Sequence, residues 1–219
     1  MNLFPLWNSL RIAAISAVIV FFLGLFLAYW VKKCPRIVKG ILDVIFTLSL
    51  VLPPTVIGFF LMMVFGPTHP IGEFLMKIGI KLVNDWKGGV LAAVIITFPL
   101  MYRTVRSSFE AFDEDLASAG KTLGLSNHYV FWHIRVPNCK NGIIAGTVLA
   151  FARGLGEYGA TAMFIGYNEY HTATISTTVA MTWDNEATKH IALFWAIFNI
   201  ILSAIILIAV NMLETRRKV

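Results

Sequence analysis

Two ionisable residues stand four apart inside an apolar run: Arg153 and Glu157, in the segment FARGLGEYGAT of residues 151–161. On a helix they share one face. An ionised side chain in hydrocarbon costs at least ~2.5–3.5 kcal/mol on insertion scales, so the two must pair or face water. They form either a structural pair or part of a water-lined path. Other chemistry is scarce. His128 and His133 lie five apart, off a common helical face, and His69 has no second ligand at metal spacing. His171 and His190 have no evident partners. The patterns GxxxxGK[ST], HExxH and GxSxG are absent, which argues against a nucleotide site or a common hydrolase centre in this chain. Cys34 and Cys139, with no CxxC pattern, argue against a metal site or a disulfide framework.

The elements that must position Arg153 and Glu157 are apolar helices. Of 219 residues, 58% are hydrophobic and 14% charged, against roughly 25% charged in soluble domains. The composition predicts an all-α integral membrane protein in one domain, residues 1–219. The net charge of +6 does not imply nucleic acid, because the basic residues sit at the ends of apolar runs. Five spans are expected, at about 12–31, 41–65, 88–102, 141–165 and 191–213. About twenty residues at 1.5 Å each cross ~30 Å of hydrocarbon. Trp7 is placed as an interfacial anchor before the first span. That span is too long for a signal-peptide core of about 7–15 residues and has only Arg11 before it, so it reads as a retained helix.

Within the second span, Pro53 and Pro54 remove two backbone donors and force a kink or break. At membrane depth such a break survives where protein or a water-filled cavity covers it. It serves either packing or a helix bent around a permeation path. Residues 66–87 are broken by Gly and Pro, with a short interfacial helix expected over Phe74 to Val83. Arg103 and Arg106 are expected to snorkel from the end of the third span. In the fourth span, Gly142, Gly146, Ala150 and Gly154 form a small-residue stripe suited to close packing, a candidate contact between two copies. Gly156 and Gly159 favour a bend, and Thr161 follows. Residues 167–190 read as a polar, Thr-rich connection.

The longest polar interruption, DLASAGKTLGLSNHYVFWHIRVP at 115–137, has the layout of an elbow within a connecting segment of 103–140. Asp115 to Leu123 reads as a short helix, and Gly124 supplies the turned position that stops it. Ser126 and Asn127 can cap a second helix, Tyr129 to Arg135, ending before Pro137. Glu110, Asp113, Glu114 and Asp115 read as a solvated acidic edge. Twelve Lys and Arg fall on the side of the elbow, the 32–40 loop and the tail, against five on the other. The positive-inside rule therefore puts the elbow and C-terminus in the cytoplasm and the N-terminus outside.

Gly124, nine residues, then Ile134-x-x-Pro137 resembles the EAA loop of ABC importer permeases, although Ser118-Ala119-Gly120 departs from the name-giving Glu-Ala-Ala. The segments SLVLPPTVIGFFLMMVFGPTHPIG, GGVLAAVIITFPLMYRTVRSSFEAFD and GTVLAFARGLGEYGATAMFIG are similar to molybdate ABC transporter permeases over almost the whole chain, least after Asn168. Sulfate and tungstate permeases share the GEYGAT block with variations. The resemblance implies a type I importer permease fold, a permease homodimer, two cytoplasmic ATPase subunits that hold ATP and Mg, and an extracytoplasmic oxyanion-binding protein. It implies no cofactor in this chain and a place in the cytoplasmic membrane. Ser118, Ala119, Gly120, Gly124, Ile134 and Pro137 would then form the ATPase-coupling elbow. Pro53, Pro54, Arg153, Gly156, Glu157, Gly159 and Thr161 are the candidates for path lining or helix packing. The alternatives are a sulfate/thiosulfate or tungstate permease and, from a different class, an ATP-independent carrier or channel.

Overall fold

The computed structural model describes residues 2–215, with side chains as far as Ile208. The tail residues Arg216, Arg217 and Lys218, counted above for orientation, lie outside the described residues. Every regular element among the described residues is helical. Among the described residues three helices are long and apolar enough to cross a membrane: α1 (Phe4–Lys32), α5 (Trp86–Glu110) and the last helix, α12, over Lys189–Ile208. The second expected span is two helices, α2 (Arg36–Thr47, with a 3-10 turn to Leu50) and α3 (Pro54–Phe65). They meet at 105° and make a fourth crossing if taken as one broken span. The fourth expected span is divided into α9 (Lys140–Leu155) and α10 (Gly159–Ile165), neither long enough to cross alone. Of the five crossings expected, three stand as single helices among the described residues, and a fourth if the bent pair is one span.

The core is a trio of α1, α5 and α9. Along α1 the buried positions are small or branched: Ala13, Ala17, Val20, Gly24, Ala28 and Val31. That stripe lets the backbone of α5 approach closely, with Met101, Tyr102, Val105 and Phe109 filling the contact. The α9 stripe closes on the same helix. A Cβ at Gly146 would stand 2.8 Å from Met101 Sδ and 3.3 Å from Thr104 Cβ, and one at Gly142 would collide with Ser108. This corrects the expected contact between copies, because the stripe is occupied within one chain. A second layer pairs α3 with α10 through Ile57, Leu61, Ala160 and Phe164.

Several boundaries differ from expectation. α5 continues past Tyr102 to Glu110, so the segment expected as a loop from 103 begins as two more helical turns. The short helix expected over 74–83 is α4, Pro70–Lys77, because proline favours a first turn and Gly79 stops the chain at φ 81°. The Thr-rich connection contains α11 (Ile175–Trp183), started by a capping box of Thr174 and Thr177. It is tied to the start of α1, where Asn8 Nδ2 donates to the Ala173 carbonyl at 3.0 Å and the Ile175 N–H donates to Ser9 Oγ at 2.9 Å.

Candidate coupling elbow and path residues

The elbow begins with α6 (Glu114–Thr122), capped by Asp113, whose carboxylate accepts from the Asp115 N–H at 2.9 Å. Glu114 and Asp115 complement the N-terminal dipole and Lys121 the other end. Gly124 has φ 81°, and the Gly124 and Leu125 N–H groups return to the carbonyls of Lys121 (2.9 Å) and Gly120 (3.1 Å). Ser126 then caps α7 (Asn127–Val130), accepting from the Tyr129 N–H at 3.2 Å.

The second arm does not end before Pro137. It widens to a π turn over Phe131–Arg135 and continues as the short α8 (Val136–Asn138). Proline lacks a donor and its ring crowds the carbonyl four residues back, and a widened turn is where a helix absorbs both. Gly120 and Ile134 face inward, a Cβ at Gly120 falling 2.9 Å from Ile134 Cδ1. Ser118, Ala119 and Pro137 face out. Leu116 on α6 and Leu123 at its C-terminal cap are exposed, Leu123 at 80%. Neither stood out in the sequence, where a leucine in α6 reads as core.

The acidic edge is not simply solvated. Glu114 receives two bonds from Arg135, Nη1 to Oε1 and Nη2 to Oε2, both 2.7 Å. Lys32 at the end of α1 also pairs with Glu114 and donates to the Phe109 carbonyl. Arg135 is buried, its guanidinium 4.6 Å from the Phe112 ring centre and 5.4 Å from that of Tyr29. The Arg135 bonds, followed by those of Lys32, hold the Glu114 carboxyl down at about 2. Glu114 in turn pushes Arg135 further up. Burial raises the Cys139 thiol, which donates to the Ser108 carbonyl.

Glu110 pairs with Lys39 and, at 3.3 Å, with Arg106. Arg106 does not snorkel. It pairs with Asp43 and donates to Tyr102 Oη at 3.1 Å, and that hydroxyl donates to Asp43 Oδ1 at 2.6 Å. These groups, with Thr47, Arg103 and Ser107, line a polar recess of about 340 Å³ between α2 and α5. Asp43 falls inside the expected second span. The cost argument applied to Glu157 would have singled it out.

At the end of α9 Arg153 and Glu157 pair at 2.8 Å. The Glu157 side chain is 2% exposed and that of Arg153 37%. Glu157 sits in the break between α9 and α10, where Oε1 accepts from the Ala160 N–H at 2.9 Å. Gly156 ends α9 and Thr161 is buried in α10. A Cβ at Gly159 would stand 2.9 Å from Pro54 Cβ and 3.2 Å from the Thr55 nitrogen. The two broken helices thus meet, with Pro54 against Gly159, while Pro53 is exposed. His171, expected to lack a partner, lies 3.4 Å from Asp85. Among the described residues no group of three or more His, Cys, Asp or Glu side chains is arranged to hold a metal.

The family model for binding-protein-dependent transport system inner membrane components matches residues 10–219. The chain belongs to that family and is a multi-pass membrane transport component. It is 40% identical over 176 residues to the molybdenum transport system permease protein ModB of Escherichia coli K12, covering 78% of this chain and 77% of that one. It is 35% identical over 209 residues to the ModB of Haemophilus influenzae, covering 95% and 91%. Among solved structures, the bacterial importer of the acidic polysaccharide alginate superposes with a TM-score of 0.77 at 15% identity, over 97% of this chain and 78% of that one. The inward-facing MetNI methionine ABC transporter gives 0.67 at 12% identity, over 97% and 94%. At such identities these two establish the ABC importer permease fold and nothing finer.

Proposed function

We propose that this chain is the membrane-spanning permease subunit of an ATP-driven ABC importer of molybdate. The observation that carries the coupling role is the capped elbow, turned at Gly124, with Leu116 exposed on its first helix and Leu123 exposed at that helix's end. The cargo reading is supported by relatives named for molybdenum transport at 40% and 35% identity. Two copies assemble, each crossing the membrane five times once α9 with α10 and α2 with α3 are each taken as a single broken crossing. The elbow and C-terminus face the cytoplasm and the N-terminus faces outward.

In this reading the chain holds no cofactor. A pair of ATPase subunits binds ATP and Mg, and a binding protein delivers the anion from outside. Ser118, Ala119 and Gly120 present α6 to the ATPase, and Gly124, Ile134 and Pro137 fix its angle. Closure of the ATPase pair moves the elbows and, through them, α1 and α5, which switches access from one side to the other. Pro53, Pro54, Gly156 and Gly159 shape the broken helices around the path. Arg153, Glu157 and Thr161 stand at its margin. A path must bind its cargo weakly enough to release it, which a single half-exposed arginine held by a buried glutamate suits.

The test is reconstitution in liposomes with the ATPase and the binding protein, measuring uptake of molybdate, tungstate and sulfate with and without ATP. Molybdate uptake that requires both ATP and binding protein is expected. Preferential uptake of sulfate or tungstate would reassign the cargo, and uptake without ATP would replace the importer with a carrier.

A further inference from the structure

We infer that Glu114, Arg135 and Lys32 form a brace that makes the elbow and the α1–α5 core one rigid body, and that this brace transmits ATPase motion into the membrane. The inference rests on the coupling role proposed above. Glu114 is the first residue of α6, Arg135 lies on the second arm of the elbow, and Lys32 ends α1. One carboxylate therefore joins three elements. The fork-to-fork geometry at 2.7 Å fixes both distance and angle between the two arms. Lys32 adds the bundle to the same carboxylate and to the last turn of α5 through the Phe109 carbonyl.

Apolar packing continues the joint. Phe131 of the second arm lies 4.6 Å from Tyr29 and 6.2 Å from Phe109, ring centre to ring centre. Arg135 is 7% exposed, so moving the carboxylate away strands a charge that water does not reach freely. The arrangement also bears on the departure from the EAA pattern. Ser118 stands where the motif has Glu, and the acid that anchors α6 lies one helical turn earlier, pointing at this chain's own Arg135 and Lys32. Glu114, Arg135 and Lys32 are positioning residues, since none need touch cargo or nucleotide.

The experiment uses the reconstituted complex, with spin labels at exposed positions 30 and 115 to report the distance between α1 and the elbow. In Glu114→Ala, uptake per ATP hydrolysed is expected to fall about ten-fold, ATPase activity to remain and the label distances to broaden. In the double variant Glu114→Met with Arg135→Met, an apolar pair replaces the ionic one, and about half of the lost coupling is expected to return. Lys32→Gln is the milder variant, expected to show the same signature more weakly while assembling normally. Unchanged distances and unchanged uptake per ATP in Glu114→Ala would overturn the inference. So would uptake and ATPase activity falling together with the yield of complex in both Glu114→Ala and Lys32→Gln, which is the behaviour of a purely structural contact. If the wild-type complex takes up no oxyanion, the proposed function fails, and the label distances in the chain alone still decide whether the brace exists.

Discussion

The trio of α1, α5 and α9 and α2, the first half of the bent arm that α3 completes, are both apolar, yet they are held in opposite ways. The trio interlocks through small residues, with Ala13, Ala17, Ala28 and the α9 glycines letting backbones touch. α2 buries no residue at all. It is attached to α5 by Lys39–Glu110, Asp43–Arg106 and the Tyr102 hydroxyl, with Phe46 against Phe98 and Tyr102 at 5.5 and 5.2 Å. Close packing has one best geometry and resists sliding, whereas side-chain ion pairs at a wet helix end can be exchanged for water. The difference assigns rigidity to the trio and its braced elbow, and freedom to α2, the half of the arm before Pro53.

The largest effect should come from filling the core stripe. Gly146→Leu places a side chain against Met101 and Thr104, and such overpacking costs about 1–3 kcal/mol. The thermal midpoint of the monodisperse permease in detergent should fall clearly. A Cβ at Gly40 of α2 meets nothing within 4 Å, so Gly40→Leu should stay within about 0.5 kcal/mol. An equal loss at both positions would erase the distinction between the two regions.

Next in size is the elbow turn. At φ 81° Gly124→Val meets a left-handed penalty of about 1–2 kcal/mol. It should abolish uptake and co-purification of the ATPase while membrane insertion persists. Gly124→Asn, which tolerates that backbone, should keep most of both. Normal uptake in the valine variant would remove the elbow from the coupling route.

Glu157→Gln retains an acceptor for the Ala160 N–H but removes the charge facing Arg153. Uptake should fall about ten-fold with assembly unchanged. Loss of dimer in both Glu157→Ala and Arg153→Ala would instead make the pair structural.

Where α2 is attached to α5, Arg106→Gln releases partly exposed ion pairs, whose worth is about 0–1 kcal/mol. The expected change is therefore kinetic: ATPase activity without binding protein should shift about two- to five-fold while the thermal midpoint barely moves. A large drop in the midpoint would mean that α2 belongs to the core.

The smallest effect concerns pH. Glu114 is lowered from 4.5 to about 2 chiefly by Arg135, so its contribution is complete above its unfolded value and lost only as pH falls through the folded one. Label distances between elbow and α1 should match at pH 8 and pH 5. An inflection near pH 4–5 would show that Glu114 titrates as an ordinary carboxyl, without the brace.

Much of the elbow was legible because its signals are local. Gly124 had to be turned, Ser126 is a cap by chemistry, and Pro53–Pro54 had to end a helix. The brace was not legible. Glu114 and Arg135 lie 21 residues apart and Lys32 a further 82 back from Glu114, and no periodicity links such positions. His171 and Asp85 escaped notice for the same reason. The helix over Ile175–Trp183 was missed because β-branched threonines are poor helix formers, and burial, chiefly against α12, together with a capping box offsets that preference.

By itself the sequence determined that this is an all-helical membrane protein with a capped polar elbow, because hydrophobic run length, proline, glycine and capping residues act within a few positions of themselves. The tertiary structure decided what each polar group faces. The α9 stripe was spent on α5 within the chain, Pro54 met Gly159 across two helix breaks, and the acidic edge was divided between the arm and the brace. Those outcomes depend on which helices lie side by side. That choice is made by the sum of many small packing terms rather than by any one residue and its neighbours.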